Sequence, residues 1–231
     1  MMNDVFSEMA VFGVALTVVM YALSLWTTKR YPRIHPLLLC SAGIIMILLL
    51  FQVPYSQYAI GGEWITLLLG PATVALAVPL YKHWMLVRSN GLPIIAAVLA
   101  GSLTGVVSSV LLLQGLGGSE EVILSALPRI TTTPISVEIA DHHGGFAELA
   151  GVFTVLTGLF GSMVSTPFLY KLGIRSDLAI GLATGTAAHG IGTAKVLKNS
   201  ELQGAYSSLA MGLTGIWLSL ISPILYGILV S

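Results

Sequence analysis

Six apolar stretches close to membrane length, residues 9–28, 36–53, 64–81, 92–116, 149–170 and 205–230, leave no room between them for a soluble domain. A hydrocarbon core about 30 Å thick takes roughly 20 apolar residues per helix. Only 9% of the residues are charged and 55% are apolar, against about 25% charged in soluble domains, and the mean hydropathy is +0.91. The chain therefore reads as an all-α polytopic integral membrane protein of a cell (inner or plasma) membrane. Two further stretches, 122–140 and 178–194, have the length but are interrupted by polar residues, glycine or proline. The expected organisation is a single membrane domain over 1–231, with about six full transmembrane helices and two broken or re-entrant segments.

The amino terminus carries Asp4 and Glu8 and no basic residue, so the pattern of a cleaved secretory signal is missing and the first helix is expected to stay. Cys40 is the only cysteine, which excludes an internal disulfide and a thiolate metal cluster; it reads as a small buried apolar residue. Ten basic residues balance ten acidic ones, so no charge bias points to nucleic acid. Their positions say more. Lysine and arginine concentrate in cytoplasmic loops, which places Lys29, Arg30 and Arg33, Lys82 and Arg88, and Lys171 and Arg175 inside. Loops 57–63, 117–121 and 141–148 carry none and suit the outside, as does the amino terminus.

On this count both ends of 122–140 lie outside, and both ends of 178–194 lie inside, next to Arg175, Lys195 and Lys198. Each segment would then be re-entrant, the two entering from opposite faces, as at the substrate sites of many secondary transporters. The alternative is a pair of broken helices that do cross, with the charge rule failing at one loop. Pro128 and Pro134 would split the first segment into two short helices joined by a polar elbow. A faint internal similarity suggests an inverted-repeat architecture: residues 70–79 precede a helix with Gly101 and Gly105, as 128–134 precede one with Gly158 and Gly161. It nominates 71–79 as a third interrupted element.

Chemistry concentrates in the broken segments. Gly181, Gly185, Gly190 and Gly192 each cost a helix about 1 kcal/mol relative to alanine, and broken backbone at membrane depth survives only where protein covers it or it lines a polar cavity. Arg129, costly in an apolar segment, suits bidentate binding of a carboxylate; capping of carbonyls or snorkelling is the structural alternative. Thr131, Thr132 and Thr133 could add hydroxyl donors or serve helix packing. His189, the only histidine inside a hydrophobic stretch, has an ordinary pKa of about 6.5 that suits a proton carrier, or it makes a satisfied interhelical hydrogen bond. The candidate substrate-binding set is Arg129, Thr131, Thr132, Thr133, Pro134, Gly185, Thr186, His189, Gly190 and Thr193, with His189 the candidate for proton coupling.

Other patterns point away from chemistry. His142 and His143, near Glu138, Asp141 and Glu148, lack ligand spacing for a metal and read as a solvated loop; no metal or cofactor is expected. His35 and His83 read as interfacial. Gly185 to Gly190 has phosphate-loop spacing, but Ile191 and Gly192 replace the required lysine and hydroxyl, so nucleotide hydrolysis is not supported. The Gly101/Gly105 and Gly181/Gly185 pairs read as close helix contacts rather than binding sites. No HExxH, GxSxG or paired-carboxylate pattern on a soluble scaffold is present, and no enzymatic function is expected.

Four segments together resemble the LrgB/CidB membrane family over nearly the whole chain: Pro71-Ala-Thr-Val-Ala-Leu-Ala-Val-Pro-Leu-Tyr81, Thr132-Thr-Pro-Ile135, Gly185-Thr-Ala-Ala-His-Gly-Ile-Gly-Thr-Ala194 and Ala205-Tyr-Ser-Ser-Leu-Ala210. That family includes bacterial LrgB, CidB and YohK proteins and the carboxyl-terminal half of the plastid glycolate/glycerate translocator. The resemblance implies one of two roles. The first is transport of small monocarboxylates of the pyruvate, glycolate or glycerate type, often with a small LrgA/CidA-type membrane partner. The second is antiholin-like or holin-like modulation of murein hydrolase activity and lysis. Costly polar groups on broken backbone favour a permease component, with His189 as the reason to expect proton linkage; a homo-oligomer in the bilayer is a separate expectation. The lysis modulator is the alternative.

Overall fold

A computed structural model describes residues 2–31 and 34–229, with side chains from residue 9 onward. Arg33 and Val230, used above for the charge count and the last apolar stretch, lie outside the described residues. The described elements are helices: α1 Met2–Arg30, α2 Pro36–Leu50, α3 Tyr55–Thr66, α4 Leu69–Ala75, α5 Ala77–Lys82, α6 Trp84–Ser89, α7 Gly91–Gly115, α8 Glu120–Ala126, α9 Thr133–His142, α10 Ala147–Lys171, α11 Asp177–Leu197 and α12 Glu201–Leu229. Among the described residues, five spans are long and apolar enough to cross a membrane: Met9–Arg30, Tyr55–Lys82, Gly91–Gly115, Ala147–Lys171 and Glu201–Leu229; Pro36–Leu50 is a shorter apolar helix. These account for the six apolar stretches, so the chain is an all-α polytopic membrane protein.

Prolines set the interruptions in Tyr55–Lys82. Pro71 has no N–H for the carbonyl of Leu67, and Pro79 none for that of Ala75. The helix breaks at Leu67 and Leu68 and again at Leu76. Residues 71–79 are thus an interrupted element, as expected.

The chain divides into two compact units, Met1–Val74 and Ala75–Ser231. In the first, α1 and α3 cross backbone to backbone: a Cβ added to Gly61 would lie 2.5 Å from the Gly13 Cα. Thr17 and the Tyr58 hydroxyl share a 2.9 Å hydrogen bond along the same seam. Cys40 is buried against α1, with its Sγ 4.0 Å from the Thr17 carbonyl. His35 caps α2, its Nδ1 accepting from the Leu37 N–H at 3.3 Å.

The second unit holds two helical hairpins between its long helices. The first is α8 and α9, joined by an elbow at 127–132. The chain leaving α9 returns beside the last turn of α8, where the Phe146 N–H donates to Ser125 Oγ at 2.7 Å. Pro128 leaves the Leu124 carbonyl without its helical donor, and the Tyr226 hydroxyl supplies one at 3.0 Å. The second hairpin lies within α11, whose backbone turns at His189 (φ 40°, ψ −134°). A Cβ on Gly192 would meet the Thr184 methyl at 2.8 Å, whereas residues eight apart in a straight helix stand about 12 Å apart along its axis. The foot of this hairpin is tied by Asp177, which accepts from Gln203 Nε2 at 2.7 Å and from Ser200 Oγ at 3.5 Å.

The hairpins enter from opposite ends of the unit. Gln114 at the end of α7 donates to the Leu229 carbonyl at 2.9 Å, and His143 stacks on Tyr226 with ring centroids 3.9 Å apart. The α8–α9 feet therefore sit at the carboxyl end of α12. The α11 feet sit at its amino end, where Lys82 pairs with Glu201 at 2.6 Å. This basic end also holds Lys171, at the close of α10. A long helix followed by a hairpin that folds back from the end it has reached thus occurs twice with opposite polarity, in α7 with α8–α9 and in α10 with α11. Two apolar clusters close the unit: one joins Val106, Ile123, Leu127 and Leu225 at the far end, the other Ile94, Val98, Leu182 and Tyr206 at the basic end.

The hairpin in α11 predicts a crosslink. In a Cys40→Ser background, Asp177→Cys with Ser200→Cys should form a disulfide on mild oxidation in membranes. A crossing helix would hold these positions more than about 30 Å apart and leave both thiols free to react with maleimide.

Candidate functional site

The two hairpin tips meet in the middle of the second unit, and Arg129 lies at the meeting point. It sits on the α8–α9 elbow, half-buried, with Nε donating to Ser109 Oγ at 2.8 Å. Its Nη1 donates to Thr157 Oγ1 and its Nη2 to the Gly105 carbonyl, both at 3.4 Å. Ser109 and Gly105 belong to α7, and Thr157 belongs to α10. No carboxylate pairs with Arg129 among the described residues; the ion pair found there joins Lys82 to Glu201.

The guanidinium faces two clefts of about 660 and 580 Å³. The larger is walled by α7 at Gly101 and Gly105 and by α11 at Leu182, Ala183, Thr186 and Ala187. The smaller follows α10 from Leu156 to Leu169 and shares Arg129, Leu169, Ala183 and Ala187 with the first. Arg129 is the only charged side chain among the described residues lining either cleft. A small-residue wall facing a lone fixed cation can receive a compact anion with a short apolar body.

Of the residues expected from the sequence, Arg129 and Thr186 line the clefts. Thr131 is fully buried and donates to the Pro128 carbonyl at 2.8 Å, closing the elbow. Thr132 precedes α9, and Thr133 and Pro134 form its first turn, where a missing proline N–H does no harm. Gly185 packs on the backbone of Ser207, and Gly190 lies beside Met211. Thr193 is fully buried, donating to the His189 carbonyl at 2.7 Å and sharing a 2.8 Å hydrogen bond with Ser207 Oγ. These residues build the tips rather than the cleft walls.

His189 is 3% exposed and outside both cleft linings. Its Nε2 donates to the Thr154 carbonyl at 3.0 Å, which requires a proton on that nitrogen. A non-glycine residue at φ 40° stores backbone strain, of order 1–3 kcal/mol, and this hydrogen bond holds it in place. Gly158 makes room for the ring, since a Cβ there would sit 2.6 Å from His189 Cε1. Thr154 in turn donates through its hydroxyl to Ser136 on α9 at 2.7 Å. One residue of α10 thereby holds both hairpins.

Sequence reasoning missed Gly105, Ser109 and Thr157 as partners of Arg129. The signal was present as small residues repeating every fourth position at Gly101, Gly105 and Ser109, a stripe that lets another backbone approach. The Gly181/Gly185 pair does make the expected close helix contact, with a Cβ on Gly181 falling 2.6 Å from the Gln203 carbonyl of α12. The Gly101/Gly105 pair differs from the expectation. It faces Thr186 and Ile130 on the two tips and walls the cleft, because hairpins rather than a full helix pack there.

The LrgB-like family matches residues 17–228. YxaC of Bacillus subtilis (strain 168), described as uncharacterized, is 38% identical over 93% of this chain and 94% of its own length. The holin-like protein CidB of Staphylococcus aureus (strain Mu50) is 36% identical over 97% of this chain and 98% of its own. YwbG of Bacillus subtilis (strain 168), also described as uncharacterized, is 36% identical over 91% of this chain and 94% of its own. No solved structure matches.

The contact between Gly158 and His189 separates two otherwise similar substitutions. Gly158→Ala should lower stability in detergent by about 1–3 kcal/mol through overpacking. Gly212→Ala on α12, where a Cβ meets nothing within 4 Å, should be neutral or stabilising by up to about 1 kcal/mol. Thermal unfolding of the two purified variants checks the difference.

Proposed function

The chain belongs to the LrgB-like family, and from that premise we propose that this multi-pass membrane protein is a permease component for small monocarboxylates of the pyruvate, glycolate or glycerate type. One observation carries the reading: Arg129 stands at the junction of two opposed hairpin tips, faces a cleft, and has only neutral partners among the described residues. A charge at membrane depth is expensive unless it is paired or hydrated, and a visiting carboxylate would complete it. A single cation in a mostly apolar cleft fits a monoanion better than a dicarboxylate, whose second charge would lack a partner. Thr186 is proposed as a hydroxyl contact for the body of the substrate. A small LrgA/CidA-type membrane protein is proposed as a partner, and a homo-oligomer as the working assembly.

A second reading has its own support. CidB of Staphylococcus aureus bears the name holin-like protein, and that name favours a modulator of murein hydrolase activity and lysis over a permease. The geometry favours the permease, because a membrane lesion needs associating helices but no half-buried arginine held by three neutral partners. Proteoliposomes separate the two. Saturable uptake of radiolabelled pyruvate or glycolate, with trapped carboxyfluorescein retained, is the permease outcome; release of the dye without selective uptake is the holin-like one. Both are measured with and without the small partner.

Arg129→Gln should lower pyruvate uptake about a hundredfold, the scale of losing a desolvated charge pair, while the variant elutes as wild type in detergent. Arg129→Lys should retain part of the activity, since a point charge does not reproduce the planar fork. Normal uptake by the glutamine variant would remove Arg129 from the site.

His189 is proposed as the anchor of the α11 tip, because its ring bonds to Thr154 and lies outside the clefts. His189→Gln keeps a donor for that carbonyl but cannot titrate, so it should retain accumulation driven by an imposed proton gradient. Loss of the gradient response with pyruvate binding intact would assign the coupling proton to His189 instead.

A further inference from the structure

Arginine presents two edges to an anion, a side edge made by Nε and Nη2 and an end edge made by Nη1 and Nη2. In this protein the side edge is already filled. Nε donates to Ser109 Oγ at 2.8 Å and Nη2 to the Gly105 carbonyl at 3.4 Å. Ser109 Oγ itself donates to that carbonyl at 2.5 Å, so its hydroxyl hydrogen points away from the guanidinium and a lone pair faces Nε. Two oxygens one helical turn apart on α7 thus occupy the side edge as a carboxylate would, but they carry no negative charge. Ser109 is 4% exposed, which shields this arrangement from water.

Resting on the carboxylate reading above, we propose that Ser109 is the positioning residue of the anion site. It locks the side edge of Arg129 with a neutral acceptor, keeps the full positive charge available, and leaves the end edge at Nη1 and Nη2 for the carboxylate in the cleft. Three of the five guanidinium N–H groups are used by Ser109, Gly105 and Thr157. The remaining two belong to Nη1 and Nη2, one on each. Thr157 approaches Nη1 at 3.4 Å from α10, a weak bond that a stronger charged acceptor can displace. An acidic residue in place of Ser109 would hold the arginine equally well and cancel the charge that the site offers.

The test uses pyruvate uptake in proteoliposomes and the pyruvate-dependent rise in thermal stability of the purified protein. Ser109→Ala should raise the KM for pyruvate about tenfold, the scale of one hydrogen bond to a charged group, with the maximal rate close to wild type. In an Arg129→Gln background the same substitution should change nothing further, an outcome that a purely structural serine would not give. Ser109→Thr, which keeps the hydroxyl, should stay near the wild-type KM and carries the comparison if the alanine variant is not monodisperse. Ser109→Asp should fold yet lose the pyruvate-dependent stabilisation. A wild-type KM in Ser109→Ala, or pyruvate binding retained by Ser109→Asp, overturns the positioning role while leaving the carboxylate reading standing. If the wild-type protein shows neither saturable uptake nor stabilisation, the carboxylate reading falls and the positioning role with it.

Discussion

Backbone broken inside a membrane must find new hydrogen-bond partners, because hydrocarbon offers none, and the second unit is organised around that requirement. The carbonyl of Leu124, deprived of a donor by Pro128, is met by Tyr226 from the far end of α12. The elbow beyond it closes on itself through Thr131. At the other tip, Thr193 bonds back to the carbonyl of His189, the residue at which the chain turns. Each repair draws on a side-chain hydroxyl, two of them from threonine and one from tyrosine.

Thr154 joins these local repairs into one structure. Its hydroxyl reaches Ser136 on the first hairpin and its carbonyl receives His189 from the second. The two tips are therefore not independent: displacing either one disturbs the same turn of α10. Gly158 and Gly161 lie one and two turns further along that helix, and a Cβ at either would run into His189 or Ala188. Omitting two side chains brings the second tip against α10, and the layer of the two tips lies between the apolar clusters at the two ends.

The electrostatics of that layer follow from what surrounds Arg129. Carbonyl and hydroxyl oxygens take three of its five N–H groups without neutralising it, so the layer holds a positive charge in a region of low dielectric, where a charge acts far more strongly than in water. On the permease reading proposed above, such a charge would receive an anion that visits and leaves, whereas the holin-like name of the CidB relatives points to the other reading.

Much of this was legible in the sequence. Apolar length and low charge determined an all-α membrane protein, because the bilayer admits few alternatives to helices. Prolines at 71, 79, 128 and 134 fall at the breaks, where a missing N–H interrupts the helical ladder, while Pro167 and Pro223 stay inside α10 and α12. The basic residues at either end of 178–194 pointed to a hairpin that the Asp177 and Ser200 contact bears out. Arg129 stood out by its cost alone. What the tertiary structure decided was partnership. Nothing local distinguishes Thr186, which walls the cleft, from Thr193, which is spent on Ser207. The sequence left His189 as a proton carrier or an interhelical hydrogen bond, and only the fold supplies its partner, the Thr154 carbonyl thirty-five positions away. Ser109 carried no signal beyond a four-residue spacing, because its meaning depends on an arginine that only the folded chain brings to it.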